Sequence, residues 1–263
     1  MITYSELAAN YVNTAPHNDA LHQALTEATW TDPLSAGHRR HVEQHQLGFG
    51  DPAFHAMWAV LLQEAALRFG TVRALEIGIY KGQVISWWAL LGLMRKIPLR
   101  ITGLGPLKGK PALRLRFLNR LLYRLSSSHR EQMDTGNCYA DEDYEAIVRN
   151  HFQQHGCDFG CVHMHRGYST DTSILESMRD DRFEIIYVDG DHRYAGADHD
   201  FRTFGPKVVP GGWLVADDAG CDLPGTTFWK GYASVSKAVE ILPSLGFRNV
   251  FNVGHNRVYE RLP

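Results

Sequence analysis

Three aspartates at the ends of two apolar runs are the residues best placed to do chemistry. Asp189 closes Phe183-Glu-Ile-Ile-Tyr-Val-Asp189, and Asp217 and Asp218 close Gly212-Trp-Leu-Val-Ala-Asp-Asp218. If the two runs are neighbouring parallel strands, about 4.8 Å apart, the three carboxylates converge. Like charges so close raise one another's pKa, and a hard divalent cation offsets that repulsion. An oxygen donor set with open positions fits Mg2+, with Mn2+ or Ca2+ as alternatives. The plainer alternative is structural: Asp218 caps the following loop and Asp189 binds backbone amides. His192 follows closely in Val188-Asp-Gly-Asp-His-Arg-Tyr194. A turn there swings its imidazole toward the same cleft, where it is a general-base candidate.

A second motif is Glu76-Ile-Gly78-Ile-Tyr80-Lys-Gly82, after the apolar run that starts at Val72. Its glycines allow a tight turn and let a ligand approach the backbone. The G-x-x-x-G spacing is neither a G-x-G-x-x-G dinucleotide fingerprint nor a P-loop. Glu76 at a strand end would repel a pyrophosphate and suits a cationic group, such as an α-amino group or a sulfonium. A purely structural turn is the alternative.

The elements that must position these residues follow from periodicity. Residues 1–70 read as helical: Leu21, Leu25 and Ala28 share one face, and Phe54, Trp58, Leu61, Leu62 and Ala65 form another stripe that Gly70 ends. From Thr71 the pattern becomes strand and helix in alternation. Strands are expected at 72–79, 99–104, 161–166, 183–189 and 212–217, and helices at 83–95, 143–154, 171–180 and 195–204. Such alternation predicts a parallel α/β sheet with helices on both faces. Phe247 to Val253, Gly254-His-Asn256 and Arg257 to Arg261 read as a C-terminal antiparallel hairpin. The expected fold is therefore Rossmann-like: a seven-stranded, mostly parallel sheet over 71–263, preceded by an N-terminal helical extension over 1–70. That extension would be a lid or a dimer arm. Trp30, Phe49 and Phe54 suit the interface of a homo-oligomer as much as packing on their own domain.

An insertion spans about 105–137. Its segment 104–130 carries Lys108, Lys110, Arg114, Arg116, Arg120, Arg124 and Arg130 and no acid. Leu113, Phe117, Leu121 and Leu125 recur at helical spacing, so a basic amphipathic helix is expected, packing its leucines on the core. The alternatives are a lid or docking face for an anionic partner, and contact with a membrane surface.

Composition sets outer bounds. The chain has 263 residues, is 44% hydrophobic and 11% aromatic, and carries a formal net charge of −2. Those values exclude global disorder and give no general nucleic-acid footprint. No apolar run is long enough to span a bilayer. The first residues lack a basic start and an apolar centre, so a cytoplasmic protein is expected. Cys138, Cys157, Cys161 and Cys221 form no CxxC pair and are expected to be reduced. His38, His41 and His45 line one helical face, and His151 and His155 sit one turn apart. Either set could bind zinc, yet neither has a Cys or acid partner at motif spacing, so ordinary surface or satisfied histidines are expected.

The two motifs and the aspartate ends together carry a resemblance. The turn at 76–82, the Val188-Asp-Gly-Asp-His192 block and Pro210-Gly-Gly-Trp-Leu-Val-Ala-Asp-Asp218 resemble a class I S-adenosylmethionine-dependent methyltransferase over about residues 71–261. Within that class the chain is most similar to the metal-dependent small-molecule O-methyltransferases of the catechol and macrolide-sugar (macrocin) types. Asp189-Gly-Asp-His192 and Phe228-Trp-Lys-Gly-Tyr-Ala-Ser-Val-Ser236 favour the sugar-modifying branch. By position, the resemblance implies cofactor contacts from Glu76, Gly78, Tyr80 and Gly82, the first three at the methionine end. Gly167, Tyr168 and Ser169 would approach the adenosine, and Asp189 would also face the cofactor. Asp189, Asp217 and Asp218 would bind the metal. His192 would be the catalytic base, beside Asp189.

One position departs from the class. Many members hold the ribose with an acid at the end of the second strand, where this chain has Leu104-Gly-Pro106. The resemblance implies methyl transfer from S-adenosylmethionine, assisted by Mg2+, to a small-molecule hydroxyl: a sugar of a natural product or glycan, another vicinal diol, or a catechol. No nucleic-acid partner and no membrane span are expected. The competing readings are a non-catalytic protein of the same fold that binds adenosyl ligands or regulates, and an RNA or protein methyltransferase docking through the basic helix. Metal-dependent phosphoester hydrolysis lacks a second set of ligands around the aspartates.

Overall fold

The change of pattern at Thr71 is where helices give way to a sheet. The computed structural model describes residues 2–108, 116–134 and 142–263. Four helices come first: α1 (Tyr4–Ala9), α2 (Ala15–Thr31), α3 (Pro33–His45) and α4 (Ala53–Phe69). Then follow β1 (Val72–Ile77), α5 (Gln83–Arg95), β2 (Leu99–Gly105), α6 (Arg116–Leu125), α7 (Ser127–Asp134), α8 (Tyr144–Gln154), β3 (Val162–Arg166) and α9 (Thr172–Ser177). The chain ends with β4 (Phe183–Val188), α10 (Tyr194–Phe204), β5 (Val208–Ala216), α11 (Ala233–Ala238), β6 (Phe247–Val253) and β7 (Asn256–Arg261).

The seven strands lie in the order β3-β2-β1-β4-β5-β7-β6. The first five are parallel, and β7 runs antiparallel to both β5 and β6. The chain steps outward from β1 to β3, then returns to lay β4 on the other side of β1. A crevice opens at such a switch point, beyond the carboxyl ends of the strands. Register aims residues into it. Ile77 pairs with Val188, and Val188 pairs with Ala216. The residues that follow, Gly78, Asp189 and Asp217, therefore emerge side by side. The β4–β5 pairing slips between Phe183–Val208 and Ile185–Trp213, so the extra residues around Pro210-Gly211 form a bulge.

Each sheet face is covered by helices, as its unbroken apolar strands require. On one face α4 is buried nearly all round, and Trp58 meets Trp88 and Tyr187 edge-on at 5.0 Å. α4 thus belongs to the covering layer, with α2 packed on its outer side. The other face packs Phe201 and Phe204 of α10 with Val235 of α11. No helix of the described residues is long and apolar enough to cross a membrane. Cys157, Cys161 and Cys221 are free thiols; Cys138 lies outside the described residues.

The basic segment differs from expectation. Among its described residues it holds two helices rather than one, because Ser126 interrupts it and its hydroxyl accepts the His129 N–H at the start of α7. Its apolar side chains do not pack on the core: Phe117 is 76% exposed and Leu125 75%. Lys110, Leu113 and Arg114 lie outside the described residues.

Asp200 on α10 is buried, and its Oδ1 has no hydrogen-bond partner. Burial pushes its carboxyl up to about 6, against the pull of a hydrogen bond with Ser169. In the unfolded chain Asp ionises near 3.9. As pH rises between those values the unfolded state releases its proton first, so stability falls across that window and stays lower above it. Asp200→Asn should remove this dependence and raise stability at pH 7 by about 2–3 kcal/mol. Urea midpoints of the two proteins at pH 4 and pH 7 check it; equal gaps at both pH values would refute it.

Candidate active site

The crevice is a cavity of about 680 Å3, within the range of small-molecule sites. Its first wall is the end of β1. Glu76 is buried there, its Oε2 lacks a hydrogen-bond partner, and burial pushes the carboxyl up to about 8. At Gly78 the chain turns with φ 103°, and its N–H donates to the Leu104 carbonyl at 2.8 Å. A β-carbon at Gly78 would lie 1.8 Å from the Asp189 carbonyl oxygen. Only glycine allows β1 and β4 to close here. Tyr80 and Gly82 continue along the cavity wall.

Tyr80 also reaches the N-terminal region. It stacks on Phe49 with centroids 5.2 Å apart, and the Gly50 N–H donates to Gln83 Oε1 at 3.2 Å. Residues 47–50 and Phe54 therefore line the cavity as well. On the opposite side lie Gly167, Tyr168 and Ser169, where the Gly167 N–H donates to the Gly105 carbonyl at 3.1 Å. Leu104-Gly-Pro106 forms this wall and brings no acid to it.

The floor is acidic and carries imidazoles. The Asp189 N–H donates to the Ile77 carbonyl at 2.8 Å, and the Asp217 N–H to the Val188 carbonyl at 3.0 Å, so strand pairing continues up to both carboxylates. Asp218 takes a left-handed conformation, φ 56°, which turns it back toward the same space. His192 Nε2 lies 3.2 Å from Asp218 Oδ2 and 3.8 Å from Asp189 Oδ1. Its ring is stacked on Tyr232 at 4.6 Å, and its carbonyl accepts the Ser234 hydroxyl at 2.5 Å. His255 Nε2 lies 3.3 Å from Asp217 Oδ1 and 3.6 Å from Asp218 Oδ1.

All the site residues expected from sequence thus face one cavity. His255 is an addition. It sits in the two-residue turn between β6 and β7, and β7 lies against β5, so the turn returns to the aspartate end. The sequence signal was there in Gly254-His-Asn256; the missing step was which strand the hairpin would join.

Burial, then the Asp217 charge, raises the Asp189 carboxyl well above its usual range. Burial and Asp217 likewise push Asp218 up, while His192 pulls it down. Burial holds His255 below the ordinary imidazole value, opposed by Asp217. Asp217 Oδ1 is buried and has no hydrogen bond of good geometry despite its closeness to His255. Three carboxylates and two imidazoles sharing one space fit a divalent cation. The unpartnered Glu76 oxygen fits a cationic group of an organic ligand.

Residues 75–219 match the model of a family described as a methyltransferase domain. The chain belongs to this methyltransferase family. No curated protein matches it. Among solved structures, this methyltransferase is similar to the O-methyltransferase NovP, with 15% identity, a TM-score of 0.56, and 80% of this chain and 79% of that one covered. It is similar to the calicheamicin methyltransferase CalS11, with 15% identity, a TM-score of 0.56, and 97% and 96% covered. The O-methyltransferase TomG from Streptomyces achromogenes, solved with SAM, has 12% identity, a TM-score of 0.53, and 96% and 100% covered. These likenesses show that the methyltransferase shares its fold with O-methyltransferases.

Proposed function

We propose that this methyltransferase transfers the methyl group of S-adenosylmethionine to a hydroxyl of a small molecule, with Mg2+ assistance. The observation that carries the reading is a single cavity joining the buried Glu76, whose Oε2 has no hydrogen-bond partner, to the Asp189, Asp217 and Asp218 carboxylates. When bound, S-adenosylmethionine supplies an activated sulfonium methyl, and a divalent cation supplies positive charge that favours an ionised hydroxyl.

The chain's own residues do the rest. Glu76, Gly78, Tyr80 and Gly82 hold the methionine end, with the carboxylate of Glu76 facing the cofactor's positive groups. Gly167, Tyr168 and Ser169 form the adenosine side. Asp189, Asp217 and Asp218 hold the cation, with His255 beside Asp217 and Asp218. His192 accepts the hydroxyl proton, with Tyr232 and Ser234 fixing its ring and backbone. Residues 47–50 cover the cavity and keep water from the reacting atoms. Much of the rate comes from holding the acceptor oxygen in line.

An acceptor with two neighbouring oxygens, a sugar diol or a catechol, suits a carboxylate-held cation. The sugar reading is supported by CalS11, which is described as a TDP-rhamnose 3'-O-methyltransferase. We place the protein in the cytoplasm.

Calorimetric titration with S-adenosylhomocysteine, with and without Mg2+, tests the reading. We expect micromolar binding, and turnover of sugar or catechol acceptors that chelation stops and Mg2+ restores. Absence of binding in both conditions would favour a non-catalytic role for the fold. Turnover indifferent to chelation would remove the cation from the reaction.

A further inference from the structure

Histidines that lie far apart in the sequence meet in space, away from the cavity. His38 and His41 come from α3, and His151 and its neighbour at the helix end, His155, come from α8. The His38 ring stacks on His151 at 5.1 Å and meets His155 at 4.7 Å. His41 meets the same two rings at 5.1 and 4.8 Å. One ligand nitrogen from each of His38, His151 and His155 lies within 4.8 Å of the others. His38 and His151 are each 1% exposed, and His155 Nε2 is buried with no hydrogen-bond partner. A second tier orients the rings. His38 Nδ1 lies 2.9 Å from His55 Nε2, which orients the ring and leaves Nε2 as its ligand nitrogen; Ser86 Oγ, 3.0 Å from His38 Nε2 and 3.2 Å from His151 Nδ1, stands where an ion would take its place.

Such a pocket is unusual for packing alone. The imidazoles are gathered there, and the orphaned His155 nitrogen is left without a donor. Nitrogen donors at this spacing, with an outer tier fixing their orientation, are what a borderline divalent ion uses. Zn–N bonds are about 2.0–2.1 Å, so modest side-chain rotation brings three such nitrogens onto one ion.

We propose that α3 and α8 share a transition-metal site for Zn2+, liganded by His38, His151 and His155, with His41 at its mouth. The site is distinct from the carboxylate floor in both place and donor type. None of these four histidines lines the cavity. The ion would act as a clamp. Residues 47–50, which follow α3, and Tyr144, which opens α8, both line the cavity. An ion joining the two helices fixes the approach of the N-terminal region to the sheet.

The test uses tag-free protein stripped with a chelator, then dialysed against Zn2+ in excess Mg2+. Metal content is counted for the wild type, Asp218→Asn, His155→Ala and the His38→Gln/His151→Gln pair. We expect about one Zn2+ per chain in the wild type and in Asp218→Asn, and at least a tenfold weaker affinity in His155→Ala. His155 is half-buried at a helix end, so its loss spares the fold, which circular dichroism checks. Zn2+ should also raise the melting temperature of the wild type by several degrees, and that of His155→Ala by much less. Co2+ in place of Zn2+ should give visible d–d bands that vanish in the histidine variants and persist in Asp218→Asn. The proposal fails if the stripped wild type takes up no Zn2+, or if Zn2+ and Co2+ binding follow Asp218 instead of the histidines.

Discussion

Alanine at Gly78 should abolish cofactor binding, raising the dissociation constant for S-adenosylhomocysteine by more than about 100-fold, and should lower the melting temperature by several degrees. Two costs act together. The residue sits at φ 103°, outside the regions that L side chains readily adopt. Its new β-carbon would lie 1.8 Å from the Asp189 carbonyl oxygen and 2.4 Å from the carbonyl carbon. Those are backbone atoms of β4's end, tied to β1 by the Asp189 N–H bond to Ile77, so they cannot swing aside as a side chain would. Relief requires β1 and β4 to part at the switch point, which moves Glu76 and Asp189 off their shared wall. Calorimetry and a thermal melt measure both effects. A variant that binds as tightly as wild type would show that the turn adjusts and is not where the cofactor rests.

Removing the imidazole at 192 should leave the cofactor in place and disable the chemistry. His192→Ala should lower kcat by about 10²–10⁴-fold, the usual share of a general base. The affinity for S-adenosylhomocysteine should stay within a few-fold, because Glu76 and the turn after β1 are untouched. The ring is held where a base is needed, stacked on Tyr232 with its Nε2 3.2 Å from Asp218. Steady-state kinetics beside calorimetry separate the two effects. Full turnover in the variant would assign the proton to another group, and a parallel loss of binding would make His192 a structural residue.

The strands and the site motifs were legible because both are local patterns. The parallel α/β alternation appeared as expected, helix 83–95 matches α5, and the ends of β4 and β5 delivered Asp189, Asp217 and Asp218 to one place. What sequence reading missed depends on contacts between distant segments. The role of His255 depends on β7 entering the sheet between β5 and β6. The imidazole cluster depends on α3 meeting α8, and neither helix carries a zinc motif by itself. The basic segment failed for a different reason. Leucine spacing says that one face is apolar, but not that the core has room for it, and Phe117 and Leu125 stay outside.

The bulge at Pro210-Gly211 bears on how this chain can change length over evolutionary time. Between Trp213 and Ala216, β5 is in strict register with β4, and side chains alternate between faces. One codon gained or lost in that stretch would turn every following side chain to the opposite face and replace Asp217 with its neighbour at the cavity floor. The bulge, where the pairing already slips, can take up or give back a residue without moving anything beyond Trp213. Length variation among descendants of this chain should therefore collect at 209–212 and stop short of the aspartates.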